Sequence, residues 1–365
     1  MIDVLVVGAG VSGLTAAVQC RAAGYQVMVV EDMESIGGRV KSATIDGDYV
    51  GDLGPSWVWP PWQPVAARWI ADLGIEMFPQ FEEGTGLLDF PGQVERHPLP
   101  GQHGIARLTG GPQSIVGKLS ERLGDRVIRC GVSAQTLVKL SNGIEVHLQT
   151  LTDKPDTRNQ NDSIVQARHV IVAVPVRVAL ETIQFEPGLP PDFRRQMAET
   201  PTWMATQAKV VVHYPKAFWR EDGLSGRVAS RVGPLVEIHD HCGSDGSPAA
   251  LFGFMGLTLE QRQKHRDALP SLIIEQLRRC FGEQATTPTY LWIEDWALTR
   301  SVCSATDCNG EAQHPEVRPA ALRQALLGGK VHFATAELAT ESPGLINGAL
   351  VAGEAAAEAV LKSRN

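Results

Sequence analysis

Val4-Leu5-Val6-Val7-Gly8-Ala9-Gly10-Val11-Ser12-Gly13, with the acid that follows at Glu31, is the stretch on which the reading of this chain turns. Val4 to Val7 is an aliphatic run of the kind buried on both faces of a parallel sheet, which predicts a first, central strand over residues 1–7. Gly8 allows a tight turn after it, Gly10 leaves bare backbone for a pyrophosphate, and Gly13 lets the next helix pack close to the strand. That helix, expected from Val11 to Ala23 with Ser12 in its first turn, aims its free N–H groups and positive dipole end at the phosphates. Gly24 is its expected C-cap. A second strand over 26–30 then delivers Glu31, eighteen residues beyond Gly13 and followed by Asp32, where a carboxylate accepts hydrogen bonds from both hydroxyls of a ribose. A bare glycine triplet is a weak signal. Here it follows a strand, opens a helix and has its acid at the right distance, which together predict a dinucleotide site.

Gly37-Gly38-Arg39 brings the backbone close to a cofactor a second time and adds a guanidinium for phosphate oxygens. Asp52-Leu53-Gly54-Pro55-Ser56-Trp57 follows. In this order, the glycine fingerprint, a glutamate, Gly-Gly-Arg and Asp-x-Gly-x-x-Trp resemble the N-terminal signature of the flavin-containing amine oxidase family. The resemblance spans nearly the whole chain. Gly110-Gly111-Pro112 with a helical pattern over 114–123 resembles the family's re-entry into its cofactor domain, and residues 127–138 resemble the strand whose backbone touches adenine near Val132. Val170 to Pro175 resembles the closing strand, Lys209 followed by Phe218-Trp219 resembles the segment with the flavin-facing lysine, and 333–337 with 344–349 resemble the last flavin segment.

The resemblance implies FAD as cofactor, held by Gly8, Gly10, Ser12, Gly13, Glu31, Asp32, Gly38, Arg39, Gly54, Pro55, Ser56, Trp57, Val132, Glu337, Leu345 and Ile346. It implies that a hydride leaves a carbon bearing an amine and that dioxygen reoxidises the cofactor to give hydrogen peroxide. Lys209 is the leading catalytic candidate, an ammonium able to stabilise negative charge developing on the cofactor. Trp296 matches one wall of the family's aromatic cage, while the opposite wall, usually tyrosine, is Leu345. That departure leaves open a more apolar substrate, as for a desaturase or porphyrinogen-type dehydrogenase, or a flavin-binding accessory protein with little turnover. Trp57, Trp59, Trp62, Trp203 and Trp219 are available to replace the missing wall or to form core. Pro55 stands where a glycine is usual, and Met33 where an arginine often is, so cofactor affinity rests more heavily on Glu31 and Arg39. Cys303 lies seven residues past Trp296 but lacks the Gly-Gly-Cys-Tyr context of covalent attachment, so a free thiol is expected.

The fold expected is α/β, a Rossmann-like FAD-binding domain (1–75, 104–175 and 328–365) interleaved with an α+β substrate domain (76–103 and 176–327). Strand-like runs at 208–213, 235–239 and 249–254 and helical patterns at 259–268 and 272–281 suggest a sheet covered by helices, and polar residues 151–168 read as a hairpin insertion or mobile loop. With 365 residues, 43% of them hydrophobic, a large core is within reach. A net charge of −8 with no basic patch argues against nucleic acid, and no apolar run approaches the length of a membrane span. Six cysteines without framework spacing suit a reducing cytoplasm. His239-Asp240-His241-Cys242 is not expected to bind a metal, because alternate strand residues face opposite ways. Oligomeric state stays open.

Overall fold

The first strand, Ile2–Val7, is buried because parallel strands flank it on both sides, Val27–Val30 and Ser163–Val172. The computed structural model describes residues 1–363 except 100, 102, 125, 151–162, 309 and 311–312. The first strand is central in a sheet ordered 184–186, 132–139, 144–150, 163–172, 2–7, 27–30 and 128–129, with 331–333 also pairing to 163–172. The helix Val11–Ala22 packs on this sheet and against the last helix, Ile346–Lys362. A Cβ at Gly353 of that last helix would lie 2.4 Å from the Ser12 carbonyl, so the two helices cross backbone to backbone, which is why the C-terminal helix is rich in glycine and alanine.

Three local expectations change. Residues 127–138 are not one strand: Ile128–Arg129 pairs with Val27–Val30, Gly131 turns at φ +67°, and Val132–Lys139 pairs elsewhere in the sheet. Of the hairpin insertion or loop expected over 151–168, residues 163–168 belong to the long strand Ser163–Val172, which pairs antiparallel with Ile144–Thr150 as a hairpin arm does, so the mobile-loop alternative does not hold for them; 151–162 lie outside the described residues. The segment 259–268 holds only Leu259–Lys264, started by a Thr258–Gln261 capping box, and a new helix, Leu269–Phe281, opens with Pro270 in its first turn. Beyond the boundary expected at 175, the helices Val176–Thr182 and Pro191–Ala198 and the strand Gln184–Glu186 still pack on the first sheet, through Ala179, Phe185, Phe193 and Met197.

The second sheet runs 290–295, 208–214, 249–255, 235–240, 224–230, 85–90 and 93–97. Its two faces have different partners. Val210, Val212, Leu251 and Ile238 face the helix Leu269–Phe281, while Val211, Ala250 and Phe252 face the hairpin Ser42–Ile45/Asp48–Asp52 of the nucleotide side. Strand alternation divides the residues in this way, and the inner face becomes the roof of the site.

Candidate active site

A cavity of about 730 Å³ runs from the glycine turn to the inner face of the second sheet. Its floor is the fingerprint. Gly8 has φ +104°, a conformation that requires glycine, and a Cβ at Gly10 would meet nothing nearer than Gly37 O at 3.8 Å, so the space in front of Gly10 is open. A Cβ at Gly13 would lie 2.0 Å from Gly8 O; this glycine is a packing residue and does not line the cavity. The two glycine motifs are tied by Gly37 N–H donating to Ala9 O (2.9 Å). Val11 and Ser12 put the N-terminus of the first helix at the cavity wall.

Glu31 is buried, accepts the N–H groups of Ala9 (2.6 Å) and Met33 (3.0 Å), and has its carboxyl raised to about 7 by burial. The Ser301 hydroxyl donates to Asp32 (2.7 Å), and Val132, whose N–H donates to Glu31 O (2.8 Å), completes this end. Arg39 lines the cavity and makes a two-pronged ion pair with Glu337 (2.6 and 3.1 Å). Glu337 itself is fully buried behind the cavity lining and holds the guanidinium in place. Gly38, Gly54, Pro55, Ser56, Trp57, Leu345 and Ile346 all line the cavity, as do Lys209 and Trp296.

Lys209 is buried, with its ammonium donating to Gly54 O (2.8 Å) and Ser56 Oγ (2.6 Å) and lying 4.1 Å from the Phe252 ring centroid. Burial pulls its pKa down to about 7, the Asp52 charge working against the shift and Arg107 with it. Behind it His241, also buried, accepts Asp52 N–H through Nε2 (2.8 Å) and is pushed down to about 3 by burial and by Arg107, so it is neutral. Trp296 is anchored by its indole N–H to Leu53 O (3.0 Å).

Sheet register places one row of side chains across the roof. Lys209 pairs with Phe254, and Phe254 pairs in turn with Glu237 on the next strand. All three line the cavity. Glu237 was not singled out in the sequence, since only the pairing of distant strands puts it two places from the lysine. Its carboxyl accepts from His239 Nε2 (2.8 Å), which holds it below the usual carboxylate range. The tryptophans sort cleanly: Trp57, Trp59 and Trp203 line the cavity, Trp219 is core, and Trp62 is exposed. Trp203 packs against Gly344, next to Leu345. In the His239–Cys242 motif, Asp240 faces the other side and is bound by Arg220 and Trp219, and among the described residues no group of three metal-ligating side chains exists. Cys303 does not line the cavity.

Open backbone at Gly10, an acid at Glu31, the Arg39 guanidinium and the buried Lys209 line one cavity, the set of groups a dinucleotide-dependent oxidoreductase needs. The model for flavin containing amine oxidoreductases matches residues 99–361, and one for NAD(P)-binding Rossmann-like domains matches 6–73. The chain belongs to the flavin-containing amine oxidoreductase family. It is 25% identical to the putrescine oxidase of Kocuria rosea, over 98% of this chain and 95% of that one. A solved putrescine oxidase with putrescine bound has the same fold, with a TM-score of 0.79 at 21% identity over 99% of both chains. Cyclohexylamine oxidase from Brevibacterium oxydans IH-35A gives 0.78 at 19% identity, covering 100% of this chain and 99% of the other. The protein is therefore an FAD-dependent oxidoreductase of the amine oxidase type. The residues present fit FAD: open space at Gly10, a helix N-terminus beside it, and the Glu31 carboxyl in the same cavity wall at the end of the second strand. Among the described residues no helix is long and apolar enough to cross a membrane.

Proposed function

We propose that this protein oxidises a small amine carrying a second positive charge and passes the electrons to dioxygen, releasing hydrogen peroxide. Glu237 carries the substrate reading. It is a carboxylate kept ionised by His239, next to Phe254 in the roof row that ends at Lys209, with Trp57 and Trp59 also lining the cavity, and such a group favours a cation at its end of the row. An uncharged apolar substrate would desolvate this carboxylate without compensation, which disfavours the desaturase-like alternative.

Bound FAD supplies the hydride acceptor. The chain supplies orientation and charge. An amine that gives up a hydride reacts as the neutral base, and Trp296, with Trp203 beside Leu345, offers aromatic surface to steer it. The second, protonated amine lies under Glu237. Lys209, held by Gly54 O and Ser56 Oγ, contributes a proton-bearing group in a dry setting where negative charge develops on the cofactor and on oxygen.

The test mixes purified holoenzyme anaerobically with α,ω-diamines and with alkyl monoamines of matched length while the yellow absorbance is followed, then admits oxygen and measures peroxide. Preferential bleaching by diamines with peroxide on reoxygenation supports the reading. Equal bleaching by monoamines sinks the second-charge assignment, and reoxidation without peroxide sinks the oxidase assignment.

A further inference from the structure

Outside the cavity, one pair of reactive groups has no part in amine oxidation. Cys303 and Cys308 have their sulfurs 3.1 Å apart, whereas Cys20, Cys130, Cys242 and Cys280 make no thiol pair among the described residues. The local fold explains the approach. Ser304 caps the one-turn helix Ala305–Cys308: its hydroxyl accepts Asp307 N–H (2.9 Å), and Asp307 Oδ2 accepts the Ser304 N–H (3.3 Å) and hydroxyl (2.8 Å). This is a capping box with aspartate in the acidic place. In such a box the residue before the cap packs against the fourth helical residue, usually as an apolar staple. Here those two positions are Cys303 and Cys308, so the contact that normally joins two methyl-bearing side chains joins two thiols.

The turn is held from behind. Asp307 Oδ1 is ion-paired with Arg177 (2.6 Å) and accepts Thr202 N–H (3.1 Å), so the pair does not depend on a freely moving loop. It also adjoins the active site: Ser301 and Val302, just before Cys303, line the cavity, and the Cys308 thiol donates to the carbonyl of Ala297, next to Trp296 (3.6 Å).

We propose that Cys303 and Cys308 are an oxidation site, forming an intramolecular disulfide on reaction with a peroxide. Cys308, the half-buried member, attacks first; its sulfur takes one peroxide oxygen as the O–O bond breaks, giving a sulfenic acid and water. The Cys303 sulfur then displaces that oxygen, the S–O bond breaks, and a second water leaves with the Cys303 proton. Two thiols and one peroxide thus become one disulfide and two waters. Burial, with the neighbouring Cys308 and Asp307, raises the Cys303 thiol, which suits it to the second, resolving step and not the first. Closing the bond fastens Cys303, and through it the wall residues Ser301 and Val302, to the anchored helix.

Hydrogen peroxide added to the purified holoenzyme tests this without relying on turnover. After exposure, free thiols are alkylated and the protein is digested with trypsin. Because Arg318 precedes a proline, Cys303 and Cys308 fall together in the peptide 301–323, which contains no other cysteine. The expected result is that this peptide goes from two alkyl groups to none, is lighter by two hydrogens, and regains both alkyl groups after reduction. Exposed Cys130, alone, is expected to give sulfenic or higher oxides instead. Cys303→Ser is expected to leave a sulfenic acid on Cys308 that dimedone traps. A peptide 301–323 that keeps both thiols while Cys130 oxidises, or that passes to sulfinic acid without pairing, overturns the proposal; a Cys303→Ser protein with no dimedone adduct at Cys308 overturns the order of attack.

Discussion

Replacing Glu237 by glutamine keeps volume and the ability to bond His239 Nε2 but removes the charge from the cavity wall. The lysine, phenylalanine and glutamate of the roof occupy consecutive strands, so Lys209 and Glu237 are separated by two strand spacings, about 10 Å between backbones. A substrate whose reacting carbon is under the lysine therefore has its far end within reach of the carboxylate. The Glu237 side chain is 41% exposed, so losing its charge-assisted hydrogen bond to a substrate costs a screened amount, about 1–1.5 kcal/mol, or roughly 5- to 12-fold in kcat/KM at 1.4 kcal/mol per decade. The loss should fall on KM for diamines and leave monoamines within about threefold. Since the Glu237 carboxyl sits below the usual range, the difference between native and variant should persist to mildly acidic pH and fade only as the carboxylate is protonated. Steady-state peroxide release against both substrate classes, with anaerobic flavin reduction as a cross-check, measures the effect. Equal losses for diamine and monoamine, or no loss for diamine, would refute the argument that this carboxylate reads a second charge.

Gly10→Ala and Gly13→Ala should separate binding from folding: the first apoprotein keeps its melting temperature but takes up no FAD, while the second, whose methyl would sit 2.0 Å from Gly8 O, fails to accumulate as folded protein. Flavin absorbance per protein and circular dichroism distinguish them. Lys209→Met should slow reoxidation of reduced flavin by on the order of a hundredfold, read by stopped flow after anaerobic reduction. For stability the sign is set by the lowered pKa: from about 7 to the ordinary lysine value of 10.5 the unfolded lysine holds a proton that the folded one has lost, so native stability rises with pH across that window and the methionine variant lacks the rise. Urea midpoints for the two proteins at pH 7 and pH 10 check this. Glu337→Gln, which leaves Arg39 without its buried counter-ion, should destabilise the protein by about 3–5 kcal/mol and lower its flavin occupancy, both visible in a thermal melt with and without added FAD.

What the sequence displayed openly was what lies within one stretch of chain. Gly8, Gly10, Glu31 and Arg39 are separated by short, regular elements, so spacing alone fixed their common destination. Gly13 and Glu337 stand behind the cavity lining, because spacing identifies a motif without saying which of its members faces inward. Glu237 and Phe254 stayed hidden for a different reason. Their partnership with Lys209 depends on antiparallel register between strands that begin up to 41 residues apart, and alternation in each strand predicts two faces but not which residues stand abreast. The split at Cys130–Gly131 was obscured by β-branched neighbours on both sides; only the positive φ of Gly131 breaks the run.

The roof also constrains how this enzyme can diverge. Side chains on a strand alternate sides, so adding or deleting a single residue within the regularly paired stretch from Glu237 to Asp240 would turn the acid toward the helical layer, whereas the register shift between Leu235 and Glu237 can absorb one. Appetite for a new amine is thus open to replacement one letter at a time along the roof, but closed to changes of length within the regularly paired stretch. Lineages that exchange substrates should preserve the residue count between Lys209 and Glu237 within these strands and put their length variation into the turns that join them.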